Sequence, residues 1–266
     1  MQLRSLGLRT DLIFHRFEGE VTDRGRYLVV RTPRNPTYRW GNLLIFDAPP
    51  GPGDFGRWTA LFEREVGGPP EVVHKVFGWD SVSGEPGEVA PFLGAGYKLE
   101  TSVVMATSAL TRPPRYNPDL DVRRLTEADY ASVIDLHVLS GYEGESEADY
   151  RRFWEANMEG FGRMIRAGRG AWFGAFLGGA LVADMGLFTD GELARYQAVV
   201  THPDHRRRGV CSTLLYEVGR YGLEQTGVRT LVIVADDAYF AKNIYASVGF
   251  VPQERQVGLE WVLRDG

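Results

Sequence analysis

The segment Val199-Val200-Thr201-His202-Pro203-Asp204-His205-Arg206-Arg207-Arg208-Gly209-Val210-Cys211 decides how this chain is read. It runs from an apolar strand, through a Pro-Asp turn, into a helix over Ser212 to Gln225. A helix start offers about four backbone N–H groups without intrahelical partners, and a partial positive charge. A loop that turns successive N–H groups inward makes a nest for an anion. Gly209 lets the backbone approach a phosphate with no side chain in the way. Arg206, Arg207 and Arg208 add charge around it. Together these features suit a pyrophosphate. The plainer alternative is a basic loop that only caps a helix.

Outward from this loop, the composition is that of an ordinary globular protein. The chain has 266 residues, 44% hydrophobic and 24% charged, with a formal net charge of −5. The acidic balance argues against nucleic acid as the main partner. A single cysteine, Cys211, leaves no intrachain disulfide, and no basic-then-apolar start is visible. A reducing cytoplasm is therefore expected. The apolar window from Ala171 to Phe188 is broken by Gly178-Gly179 and Asp184, so it reads as a hairpin and not as a membrane span.

Three prolines within Arg112 to Pro118 suit neither a helix interior nor a central strand. They place a boundary between residues 1–115 and 116–266. The second half reads βααβββαβαβ. Its elements are a strand from Leu120 to Leu125, helices over Thr126 to Val138 and Glu145 to Arg166, and the glycine hairpin. A strand from Leu193 to Val200, the arginine loop and its helix follow. Then come a strand at Leu231 to Val234, a helix from Ala238 to Ser247 and a closing strand from Val257 to Leu263. In the first half, strands are expected at Tyr27 to Arg31, Leu43 to Asp47, Glu71 to Phe77 and Thr101 to Ala106, with a helix at Arg57 to Glu65.

Arg206, Gly209 and Cys211 match the Gln/Arg-x-x-Gly-x-Gly/Ala pattern of the GNAT-superfamily N-acetyltransferases, with Cys211 where Gly or Ala is usual. Asn243-Ile244-Tyr245-Ala246-Ser247-Val248-Gly249-Phe250 resembles the family's second hallmark. The resemblance covers roughly Leu120 to Leu263. It implies a mixed, mostly antiparallel sheet flanked by helices, and acetyl-CoA as cosubstrate with no metal. The acceptor would be a small-molecule or peptide amine, with neither nucleic acid nor membrane as partner. It further implies a bulged strand whose N–H groups at Val199, Val200 and Thr201 hold the pantetheine arm. Arg206, Arg207, Arg208, Gly209, Val210, Cys211 and Ser212 would bind the phosphates, and Asn243 would touch the cofactor unless it is plain surface. Tyr245 maps to the tyrosine that protonates the departing thiolate; the alternative is a core aromatic. Glu192 is the candidate base, with Glu143, Glu145 and Glu147 as alternatives. An acyl-CoA-binding regulator without turnover remains a rival reading.

Two motifs are decoys. Gly51-Pro52-Gly53-Asp54-Phe55-Gly56 matches G-x-G-x-x-G, but Pro52 removes a donor and Asp54 repels phosphate. A nucleotide-binding protein using it is the second rival. His202-Pro203-Asp204-His205 offers no third metal ligand. An echo connects the halves: Gly249 minus Gly96 and Gly209 minus Gly56 both equal 153. It suggests a degenerate GNAT-like first half with Trp58 at the Cys211 position and Phe92 at Tyr245. Tyr38 and Trp40 are expected to wall the acceptor pocket.

Overall fold

The computed structural model describes residues 1–141, 146–236 and 241–263. The chain divides into two compact units, Met1–Val104 with Gln253–Gly266, and Met105–Pro252. Each carries a mixed, mostly antiparallel sheet flanked by helices, as expected. Among the described residues no helix is long and apolar enough to cross a membrane.

The first unit opens with α1 (Leu6–Glu18), which the sequence pattern did not reveal. Its start is capped by carboxylates distant in sequence. Asp80 accepts from the Arg4 and Ser5 N–H groups. Glu254 accepts from the Leu6 N–H at 2.7 Å and from the Ser5 hydroxyl at 2.9 Å. Such acceptors satisfy orphan donors and complement the helix dipole. The chain continues through β1 (Glu20–Asp23), β2 (Tyr27–Arg31), β3 (Leu43–Phe46), α2 (Asp54–Glu65), β4 (His74–Trp79), α3 (Ala90–Gly94) and β5 (Lys98–Thr107). Strands β1 to β3 pair antiparallel, and β3 pairs parallel with β4 from Leu44↔Phe77 to Phe46↔Trp79.

In the second unit, β6 (Asp121–Arg124) leads to α4 (Tyr130–Ser140) and α5 (Glu147–Arg166). Then follow β7 (Gly170–Leu177), β8 (Ala180–Asp190), β9 (Leu193–Thr201), α6 (Val210–Gln225), β10 (Thr230–Asp236) and α7 (Ala241–Ala246). The capping box at Thr126 and Asp129 is present, and Gly178 and Gly179 take φ of 59° and 85° as the hairpin requires. Strand order is β10-β9-β8-β7-β6, with only β10 and β9 parallel.

Two expectations change. The closing strand, β11 (Val251–Val262), does not complete the second unit's sheet. It pairs antiparallel with β4, from Gly258↔Gly78 to Val262↔His74. The contacts divide near residues 104 and 252, with β11 counted alongside β4. The echo also shifts. The glycine opening α2 in the left-handed region is Gly53, at φ 82°, while Gly56 lies inside the helix. Gly209 opens α6 at φ 75°. The offset is then 209 − 53 = 156, which sets Phe55 against Cys211 and Trp58 against the buried Leu214. At the other end the offset of 153 holds. Tyr97 N–H donates to the Phe92 carbonyl at 3.1 Å, and Phe250 N–H to the Tyr245 carbonyl at 3.2 Å.

Candidate active site

Strand β9 supplies the geometry on which the site depends. Ala198 takes a positive φ of 53°. The register with β8 passes from Gly186↔Gln197 to Asp184↔Val200, so Ala198 and Val199 stand opposite the single residue Met185. That is a bulge, which bends a strand and leaves a residue unpaired. On its other side β9 pairs with β10 only from Leu193↔Thr230 to Arg195↔Val232 among the described residues. Both strands continue beyond that point, so they part.

A cavity of about 570 Å³ opens at the end of β9 beyond this divergence. Val199, Val200 and Thr201 line one side, and Gly209, Val210, Cys211 and Ser212 bring in the first turn of α6. Arg206 and Arg207 flank that turn, and Asn243 and Tyr245 of α7 contribute another wall. The Arg206 Nε donates to the Thr201 carbonyl at 3.3 Å, bracing the loop. The N–H groups of the first helical turn lack intrahelical acceptors by construction. Among the described residues, the lining contains no carboxylate. These features fit an anionic ligand.

Gly209 is required here for two reasons. Its φ is left-handed, and an added Cβ would stand 2.0 Å from the Arg115 carbonyl. Phosphate approach is thus only part of what the glycine allows. Cys211 lines the cavity, but desolvation pushes its thiol up to about 11, so it is no thiolate near neutrality.

Three expected residues are elsewhere. Glu192 sits in the turn before β9, nine residues from Thr201; at roughly 3.3 Å per strand residue that is about 30 Å. It is exposed, pairs with Arg229 at 3.1 Å and does not line this cavity. Arg208 is exposed and does not line the cavity; its carbonyl accepts from Asn117 at 3.2 Å. Glu147 begins α5, exposed and away from the lining, while Glu143 and Glu145 lie outside the described residues. Conversely, Pro114, Arg115, His205, Ala241, Ile244 and Ser247 line the cavity without having been foreseen.

A buried polar cluster was also missed. Asp184, opposite Val200, takes hydrogen bonds on Oδ1 from Trp172 at 2.9 Å and His137 at 3.0 Å. Burial pushes its carboxyl up, and these contacts only partly offset that. His137 stacks on Trp154 with ring centroids 3.5 Å apart. His202 Nδ1 accepts from the Asp204 N–H, and no metal-binding group of three His, Cys, Asp or Glu occurs among the described residues. Tyr38 packs by Gly41 and Trp40 by Gly258, so both are engaged within the first unit.

The acetyltransferase (GNAT) family model matches residues 130–250. This segment is a GNAT acetyltransferase domain. Its fold is shared by solved structures over the whole chain. A functionally unknown conserved protein from Staphylococcus epidermidis aligns at TM-score 0.70 and 14% identity, covering 93% of this chain and 96% of that one. A GCN5-related N-acetyltransferase from Kribbella flavida aligns at TM-score 0.66 and 13% identity, covering 98% and 96%. A tandem GNAT protein of the clavulanic acid biosynthesis pathway aligns at 0.57 and 15%, covering 97% and 88%. At these identities the likeness concerns fold alone. None of the curated proteins matches the sequence.

Proposed function

We propose that the chain transfers an acetyl group from acetyl-CoA to the primary amine of a small molecule or peptide, by direct attack in a ternary complex. The carrying observation is the cavity where β9 parts from β10, with the Arg206–Ser212 loop and Tyr245 both on its lining. The pyrophosphate lies against Arg206, Arg207 and the first turn of α6. Backbone groups of Val199, Val200 and Thr201, no longer engaged by β10, bond the pantetheine arm and polarise the thioester carbonyl. The amine nitrogen attacks that carbonyl carbon and the C–S bond breaks. Tyr245 donates its proton to the departing thiolate, while the amine proton leaves to solvent or a base. The products are the amide and CoA.

We read the first unit as a second, degenerate GNAT-like half that does not hold acetyl-CoA. Its support is the shared order of strand, left-handed glycine, helix, parallel strand and short helix.

Calorimetry with acetyl-CoA, and CoA release across a panel of amines read with a thiol reagent, test the proposal. One acetyl-CoA per chain and amine-dependent release are expected. Binding without release for any amine leaves the rival of a silent acyl-CoA-binding protein. Two molecules per chain would refute the reading of the first unit.

A further inference from the structure

The segment 112–118, which its prolines mark as a linker, is fastened along the start of α6. The Asn117 N–H donates to Thr213 Oγ1 at 2.8 Å, and its Nδ2 donates to the Arg208 carbonyl. The Tyr116 hydroxyl donates to Glu217 at 2.9 Å, and the Arg112 guanidinium lies 4.0 Å from the Tyr116 ring centroid. The Arg115 carbonyl fills the space beside Gly209. The backbone at Arg115 is thus held by its neighbours on both sides, while its side chain is exposed and lines the cavity. Arg115 lies outside the matched family segment, and among the described residues it joins no ion pair.

Charge indicates what this arginine is for. Three guanidinium groups, from Arg115, Arg206 and Arg207, border a cavity that no carboxylate lines among the described residues. CoA carries two separate anions. One is a pyrophosphate diester, with a single charge on each phosphorus; the other is a ribose 3′-phosphate monoester, close to doubly charged at neutral pH. Adjacent arginines and helix N–H groups suit the first. A guanidinium brought in by a different segment suits the second, because its planar fork takes two phosphate oxygens at once.

We infer that Arg115 binds the 3′-phosphate monoester of the acyl-CoA, so that the segment ahead of the family domain sets the preference for CoA over its 3′-dephospho form. This rests on the acetyl-CoA reading proposed above.

The test is calorimetry on the full chain with acetyl-CoA and 3′-dephospho-acetyl-CoA, for the wild type, Arg115→Ala and Arg115→Lys. The wild type should favour acetyl-CoA by about ten-fold, the scale of a partly exposed charge-assisted contact. Arg115→Ala should lose that preference and bind the dephospho ligand as the wild type does. Arg115→Lys should keep part of it. Lowering the pH through ~6, where the phosphate monoester dianion takes up a proton and falls to a single charge, should narrow the wild-type preference. Equal weakening of both ligands by Arg115→Ala would assign the guanidinium to a part of the ligand that both share and overturn the inference, as would an unchanged preference. A wild type that binds neither ligand would instead remove the acetyl-CoA reading itself, and this inference with it.

Discussion

The two units run the same course of strand, helix, parallel strand and short helix, yet one is closed where the other opens. In the first, β3 stays paired with β4 to its last residue, Phe46↔Trp79. In the second, β9 leaves β10 after Arg195 and bulges at Ala198. The helix-opening loops differ in the same sense. Before Gly209 stand three arginines; before Gly53, at the corresponding positions, stand Pro50, Gly51 and Pro52. In the first unit the Gly51 N–H is already bonded to Asp54 at 2.9 Å, so the loop supplies its own anion. Behind it Trp58 stacks on Phe46 at 3.7 Å and meets Phe77, Trp79 and Phe92. A shared backbone plan becomes a binding cleft only where strand pairing is interrupted and the anion site is left unfilled.

The strongest way to sharpen this contrast is Trp58→Ala. Removing a fully buried indole should cost about 3–5 kcal/mol of unfolding free energy. Denaturation would show the loss, while acetyl-CoA affinity of the remaining folded protein should be unchanged. Lost affinity at intact fold would mean that the first unit takes part in binding. Next comes the pair Tyr245 and Phe92, which occupy matching positions. Tyr245→Phe makes the second unit like the first there, and should lower kcat about ten- to a thousand-fold with acetyl-CoA affinity nearly constant. Full activity would leave Tyr245 as packing. The smallest effect separates the two glycines. Gly53→Ala meets nothing within 4 Å and should cost only the left-handed strain of about 1–2 kcal/mol. Gly209→Ala adds a clash with the Arg115 carbonyl, so it should cost more and weaken acetyl-CoA binding. Thermal melts and titrations that treat the two variants alike would break the proposed equivalence.

What was legible in the sequence was local. The arginine loop, the glycine hairpin and the Tyr245–Phe250 helix end each depend on residues a few positions apart. What escaped depends on distant partners. Helix α1 is stabilised at its start by Asp80 and Glu254, 75 and 249 residues away from Ser5. The cavity wall at Arg115 is held by contacts such as that between Asn117 and Thr213, 96 residues apart. Glu192 lies away from the cavity, and strand membership alone says nothing of which end of a strand meets the cleft. The buried His137–Asp184 pair joins α4 to β8 across 47 residues and leaves no spacing to read.

The pairing of β11 with β4 reaches back to how the chain is made. A ribosome delivers Gln253 after Trp79 by 253 − 79 = 174 residues. At about 5–20 residues per second, that interval lasts roughly ten to thirty seconds. Throughout it β4 presents an open edge with Val76 and Phe77, and α1 lacks the Glu254 cap. Residues 105–252 emerge whole before that partner arrives. The second unit is thus free to fold before the first unit's sheet can be closed, and β4 is left as an adhesive edge toward neighbouring chains in the meantime.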